Sequence, residues 1–125
     1  MAVTIKSQRE IELMRESCKI LADVFSEMEK AVHPGVSTLD INNLGEKLIR
    51  AHGCIPNFLN YNGYPASICV SVNDEVVHGI PGDIVLKEGD IVSVDCGTYM
   101  NGFCGDSAYT LSLIHISEPT RQAEI

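Results

Sequence analysis

Apolar residues recur along the first part of the chain at alternating spacings of three and four: Ile11, Met14, Cys18, Leu21, Phe25, Met28 and Val32. That period predicts one long amphipathic helix, because 3.6 residues per turn return every third or fourth side chain to the same face. Ser7-Gln-Arg-Glu10 has the spacing of a capping box at its start, and Pro34-Gly35 breaks the pattern after Val32. A second capping box, Ser37-Thr-Leu-Asp40, opens a shorter helix lined by Ile41, Leu44, Leu48 and Ala51, which Gly53 can end. Both stripes read as faces that pack a core, with no chemistry of their own.

From Ile55 onward the period changes. Ile68-Cys-Val-Ser-Val72 and Ile91-Val-Ser-Val-Asp-Cys96 are β-branched runs bounded by Pro, Gly, Asn and Asp, which predicts strands. Helices precede strands, so the expected class is α+β. The intervening Asn57 to Pro65, with Phe58, Tyr61, Tyr64, three Asn and a Gly, fits neither period and reads as an ordered loop. Asn101-Gly102 lies between two strand-like runs, the strongest short-range signal for a two-residue hairpin turn.

The turn fixes the register. If Met100 pairs with Phe103, Gly97 lies opposite Asp106 and Asp95 lies opposite Ala108, so all four project from one face. The two aspartates become diagonal neighbours about 7 to 8 Å apart, and Gly97 and Ala108 are expected to leave open space between them for a cation. Two carboxylates this close repel unless a positive charge sits between them or one carries a proton, so a metal and a shared proton are both open. The alternative is a pair of exposed aspartates on an edge hairpin; Val92, Val94 and Ala108, read as buried, argue against it. Oxygen ligands suit manganese, iron, cobalt or zinc, and two Asp cannot complete such a shell. Cys104 falls on the same face, as a soft third ligand or a packed thiol, and Cys96 on the opposite face as core.

Composition narrows the classes. The chain has 125 residues, one modest domain, with nine Lys plus Arg against seventeen Asp plus Glu and a net charge of -8. The few basic residues form no cluster that would neutralise phosphates, which disfavours nucleic-acid and membrane partners. No apolar run approaches the length of a membrane span, and residues 1–9 lack the apolar region of a signal peptide. Five cysteines with no C-x-x-C pair suggest reduced thiols and a cytoplasmic location.

Gly89-Asp-Ile-Val-Ser-Val-Asp-Cys-Gly97 followed by Asn101-Gly-Phe-Cys-Gly-Asp106 resembles the paired-aspartate region of the type I methionine aminopeptidases. Asn73-Asp-Glu-Val-Val-His-Gly-Ile-Pro81, the Pro34-Gly-Val-Ser-Thr38 turn and Gly63-Tyr-Pro65 fit the same family in the same order, so the resemblance covers roughly residues 5 to 110. It implies the N-terminal half of a pita-bread fold. It also implies an enzyme that removes the initiator methionine from nascent proteins, using a metal-bound hydroxide at a site with two divalent ions. Carried over residue by residue, Asp95 chelates one metal, Asp106 bridges both, and His78 contacts the substrate at the scissile bond. Tyr61, Tyr64 and Cys69 line the pocket for the methionine side chain. Without the resemblance, His78 reads as a structural histidine near a strand end and the tyrosines as an aromatic loop packed on a strand. The resemblance further implies a monomer at full length, with the ribosome as a partner. A non-catalytic binding protein of the same fold and an X-Pro peptidase are the alternatives, and the Val-Val-His-Gly-Ile-Pro string points to the methionine branch.

After Thr110 the chain departs from the family. Leu111 to Arg121 can be back-translated from a transposase sequencing adapter, so residues 1–110 are expected to be the first half of the catalytic domain and residues 111–125 a non-native tail; the alternative is a genuine divergent strand, Leu111 to Ile116, closed by Pro119. His115 lies in that tail and is assigned no role. The family's remaining ligands, one His and two Glu, come from a second half, so the 125 residues alone are expected to be inactive.

Overall fold

The computed structural model describes residues 2–114. Helix α1 spans Gln8–Ala31 and α2 spans Thr38–Ala51, each opened by the expected capping box, with the Ser7 and Ser37 hydroxyls accepting from the Glu10 and Asp40 amides. Strand β1 (Ile55–Pro56) is followed by a 3-10 turn at Tyr61–Gly63, then by β2 (Ile68–Val72), β3 (Ile91–Met100) and β4 (Phe103–Ser112). All pairings are antiparallel. Strand β3 is the centre: β1 and β2 lie in succession along one edge and β4 runs along the other. The class is α+β, as expected. Among the described residues no helix is long and apolar enough to cross a membrane.

The hairpin register is the one the turn dictates: Met100 faces Phe103, Gly97 faces Asp106 and Asp95 faces Ala108. Asn101 takes φ 52° and Gly102 φ 84°, the left-handed pair a two-residue turn requires to match strand twist. Even-numbered positions of β3 (Val92, Val94, Cys96 and Thr98) are buried with residues of both helices and Leu86 in one core. The odd-numbered positions face the other way and carry the candidate site.

Two details of the helices differ from the expected stripes. Cys18 is exposed, and Ser17, Leu21, Val24 and Met28 are the buried positions of α1. Leu21, Met28 and Val32 are buried as expected, and at Cys18 the burial passes to the neighbouring Ser17, where the sheet approaches the helix backbone. A Cβ at Gly105 would stand 3.2 Å from both the Cys18 Cα and the Ser17 carbonyl carbon, so the strand rests on the helix backbone at these two residues. Ser17 Oγ lies 2.8 Å from Thr98 Oγ1, and the Thr98 hydroxyl also lies 3.0 Å from the Ser17 carbonyl. In α2, Ala51 is exposed, while Asn42 and Gly45 are buried. Asn42 is polar yet internal because its Oδ1 accepts from the amides of Ser67 and Ile68 at 2.9 and 3.1 Å, tying α2 to the start of β2.

Strand β4 continues past the expected 110/111 boundary: Leu111 pairs with Val92 and Ser112 with Ile91. Leu113 joins the core and exchanges hydrogen bonds with Gly89 and Asp90. Residues 115–125, the rest of the expected tail, lie outside the described residues.

Candidate metal and peptide site

Asp95 projects from the centre of β3, directly opposite Cys69 of β2 on one side and Ala108 of β4 on the other. Asp106 stands on β4 opposite Gly97, two positions along on the same face. Burial, then the neighbouring Asp106 carboxylate, pushes the Asp95 carboxyl above the ordinary carboxylate range, with His78 pulling against them. On the chemistry of its donors this pair fits a divalent cation: two hard carboxylates side by side on one face, whose repulsion a positive charge would relieve. Among the described residues no group of three His, Cys, Asp or Glu could hold a metal ion, so the aspartate pair offers two donors and no complete shell.

The space beside Asp95 is not the open gap expected at Gly97. A Cβ at Gly97 would lie 3.0 Å from both the Asn57 Cβ and the Phe58 ring, so the missing side chain admits the aromatic loop rather than a cation. The Asn57 amide donates to the Gly97 carbonyl at 3.0 Å, fixing the loop there. Ala108, expected to be buried, is exposed, because β4 is the outer strand; Val92 and Val94 are buried but on the helix face. Asp95 is half-buried and Asp106 exposed, and both line one cleft.

That cleft, about 930 Å³, is lined by His78, Tyr61, Tyr64, Cys69, Asp95 and Asp106 together with Asn57, Phe58, Ile80 and Cys104. All six residues singled out from the sequence meet in it. Asn57 and Ile80 were not singled out, because nothing in their local pattern separates them from other loop residues. Cys104 is exposed, and its thiol approaches Asn57 Oδ1 at 3.4 Å, which favours a hydrogen-bonded thiol over a soft third ligand. Cys96 is buried on the core side as expected, and its thiol is pushed up to about 12, by burial first and then by the two aspartates.

The pocket wall is built by the loop whose period the sequence left unread. Asn60 and Asn62 adopt φ 66° and 49°, positions Asn tolerates better than most residues, and they turn the chain through the short 3-10 segment. Tyr64 is half-buried and its hydroxyl donates to the Ile68 carbonyl at 2.8 Å, with the Gly79 carbonyl at 3.3 Å. Burial, then Cys69 and Asp95, holds this phenol neutral well above its usual range. Cys69 is buried beside it; burial raises its thiol, with Asp95 and Asp106 adding and the Tyr64 hydroxyl opposing. The wall is thus apolar, neutral and polarisable, suited to a thioether.

His78 enters from the connection between β2 and β3, in the left-handed conformation with φ 60°. The connection is anchored beyond it by α2. The amides of Thr38 and Leu39 donate to the carbonyls of Ile84 and Gly82, and the Gly82 amide donates to the Thr38 hydroxyl. Orphan donors of the helix N-terminus are thereby satisfied by the segment that carries the histidine.

Residues 12–125 match metallopeptidase family M24. Among curated relatives, a methionine aminopeptidase of Clostridium acetobutylicum is 50% identical over 117 residues, covering 93% of this chain and 47% of its own length. Methionine aminopeptidase 1 of Bacillus subtilis is 46% identical over 120 residues, covering 96% and 48%. The chain therefore spans about half the length of the curated relatives it matches. Among solved structures, a methionine aminopeptidase from Rickettsia prowazekii superposes with a TM-score of 0.89 at 34% identity, over 97% of this chain and 49% of that one. An Xaa-Pro dipeptidase from Bacillus anthracis superposes with a TM-score of 0.77 at 26% identity, over 94% and 32%. The half pita-bread architecture expected from the sequence is the one these structures share.

Proposed function

Because the chain belongs to metallopeptidase family M24, we propose that it carries the first half of a methionine aminopeptidase site. The observation that supports this reading is the single cleft joining the aspartate pair to His78 and to the wall of Tyr61, Tyr64 and Cys69. The substrate is the N-terminal methionine of a nascent polypeptide. Its thioether lies against Tyr64 and buried Cys69, with Tyr61 exposed at the rim, and this contact places the scissile carbonyl near the carboxylates. His78 donates a hydrogen bond at the scissile bond and steadies the oxygen on which negative charge develops. Asp95 and Asp106 are the residues that would hold divalent ions, with cobalt, manganese, iron or zinc all suited to the donor set. When bound, the metals supply Lewis-acid polarisation of the carbonyl and an activated water. The cellular setting of this reading is the cytoplasm, close to the ribosome, with a monomeric full-length protein.

An X-Pro peptidase is the second reading, favoured by the likeness to the Xaa-Pro dipeptidase fold. A non-catalytic binding protein is disfavoured because the two aspartates and His78 share one cleft. Cleavage of Met-Ala-Ser against X-Pro peptides by the protein encoded at the source locus, read from genomic DNA beyond codon 110, separates these. Release of methionine supports the proposal; turnover of X-Pro peptides alone, or of neither with metals supplied, overturns it. The 125-residue chain by itself, with two ligands, is expected to release no methionine in added cobalt or manganese.

A further inference from the structure

We propose that Ser71 is a positioning residue for His78, acting through the backbone of Gly79; the inference rests on His78 facing substrate in the reading above. His78 has a Cβ yet holds a left-handed φ of 60°, a conformation that persists only where the surroundings impose it. The residues before it impose little, since Val76 and Val77 are exposed at 84% and 63%. The constraint comes from the next residue.

Gly79 is buried and docks on β2 through both of its backbone polar groups. Its carbonyl accepts from the Val70 amide at 2.9 Å, and its amide donates to Ser71 Oγ at 3.0 Å. A Cβ at position 79 would stand 2.2 Å from the Val70 carbonyl oxygen and 2.9 Å from the Ser71 Cα, so the backbone rests directly on the strand. Ser71 is itself 4% exposed and sits on the cleft face of β2, opposite Ser93 and two residues beyond Cys69.

A buried amide left without its acceptor would swing towards another partner, and with Gly79 free to rotate the preceding residue has no reason to stay left-handed. The hydroxyl of Ser71 therefore sets the direction from which the His78 ring enters the cleft. Tyr64, whose hydroxyl lies 3.3 Å from the Gly79 carbonyl, steadies the same docking from the pocket side.

The test uses the 125-residue chain and nuclear magnetic resonance, with Ser71→Ala and the hydroxyl-retaining Ser71→Thr. In the unsubstituted chain the Gly79 amide exchanges slowly, and the His78 backbone couplings report a single positive φ. Ser71→Ala is expected to reduce Gly79 protection about tenfold, the effect of one lost hydrogen bond, and to average the His78 couplings. Val24 and Ile49 amide signals, in the buried faces of the two helices, stay in place, and Ser71→Thr restores the His78 signature. Rapid Gly79 exchange in the unsubstituted chain overturns the proposal without any variant. So does an unchanged His78 signature in Ser71→Ala, or a Ser71→Thr chain that is folded yet behaves like Ser71→Ala. These readouts need no turnover, so failure of the peptidase reading is seen separately, in the cleavage assay. In that assay Ser71→Ala lowers kcat with KM nearly unchanged, and a rise in KM alone severs Ser71 from His78.

Discussion

Cys69 stands directly opposite Asp95 across the β2–β3 pairing, so a thiol and a candidate metal ligand share one face of the sheet within the same cleft. Burial raises the Cys69 thiol, and the two aspartates add to that shift, so little of it is thiolate near neutral pH. Alkylation of the folded chain followed by mass spectrometry is expected to modify exposed Cys18 and Cys104 first and Cys69 much later, with Cys54 and Cys96 slowest. Cys69 reacting as fast as Cys104 would remove the buried-wall description of the pocket.

Two glycines within four residues of His78 should respond unequally to a methyl group. At Gly79 the added Cβ meets the Val70 carbonyl at 2.2 Å, whereas at Gly82 its nearest neighbour is 4.0 Å away. Gly79→Ala is expected to destabilise the chain by about 3 kcal/mol, and Gly82→Ala to stay within about 0.5 kcal/mol. Urea unfolding of both variants checks this, and equal midpoints would contradict the docking of Gly79 on β2.

The buried contact of α1 with the sheet predicts an asymmetry. Thr98→Val strands the Ser17 hydroxyl in the core, at a cost of about 1 to 3 kcal/mol. Ser17→Ala costs less, since the Thr98 hydroxyl keeps the Ser17 carbonyl as its partner. Thermal unfolding of the two variants gives the order directly.

Acid stability should trace to Asp90. Its carboxylate accepts from the Lys87 amide at 2.8 Å and from the Asn73 side chain at 3.1 Å, and these bonds hold it below the ordinary carboxylate range. A lowered folded-state pKa stabilises the fold above the unfolded value of about 3.9 and is lost as pH falls through the folded value. Asp90→Asn is therefore expected to be less stable at pH 7, with the gap closing below about pH 4. A gap that widens on acidification would show the sign to be wrong.

Cobalt(II) titration followed by absorption tests the aspartate pair. Asp95→Asn and Asp106→Asn should each weaken binding by at least about tenfold, the scale on which even outer-shell changes act. Cys104→Ser should leave it unchanged, since that thiol is engaged with Asn57. Loss of binding in Cys104→Ser would restore the thiolate as a ligand.

The sequence by itself determined whatever depends on neighbours within a turn or two. The helix starts followed from Ser7 with Glu10 and Ser37 with Asp40, and the shared face of Asp95 and Asp106 followed from Asn101-Gly102, because a two-residue turn leaves one register for ten paired positions. The family motifs singled out the residues that line the cleft. Tertiary structure alone decided what fills the space beside Gly97, why Ser17 rather than Cys18 faces the sheet, and how His78 is held. Each of those is a contact between segments far apart in the chain, where the approach of one backbone to another selects a side chain by size and hydrogen-bonding capacity. Hydrophobic period carries no record of that approach, which is why small and polar buried residues such as Ser17, Asn42 and Ser71 were the ones it left unread.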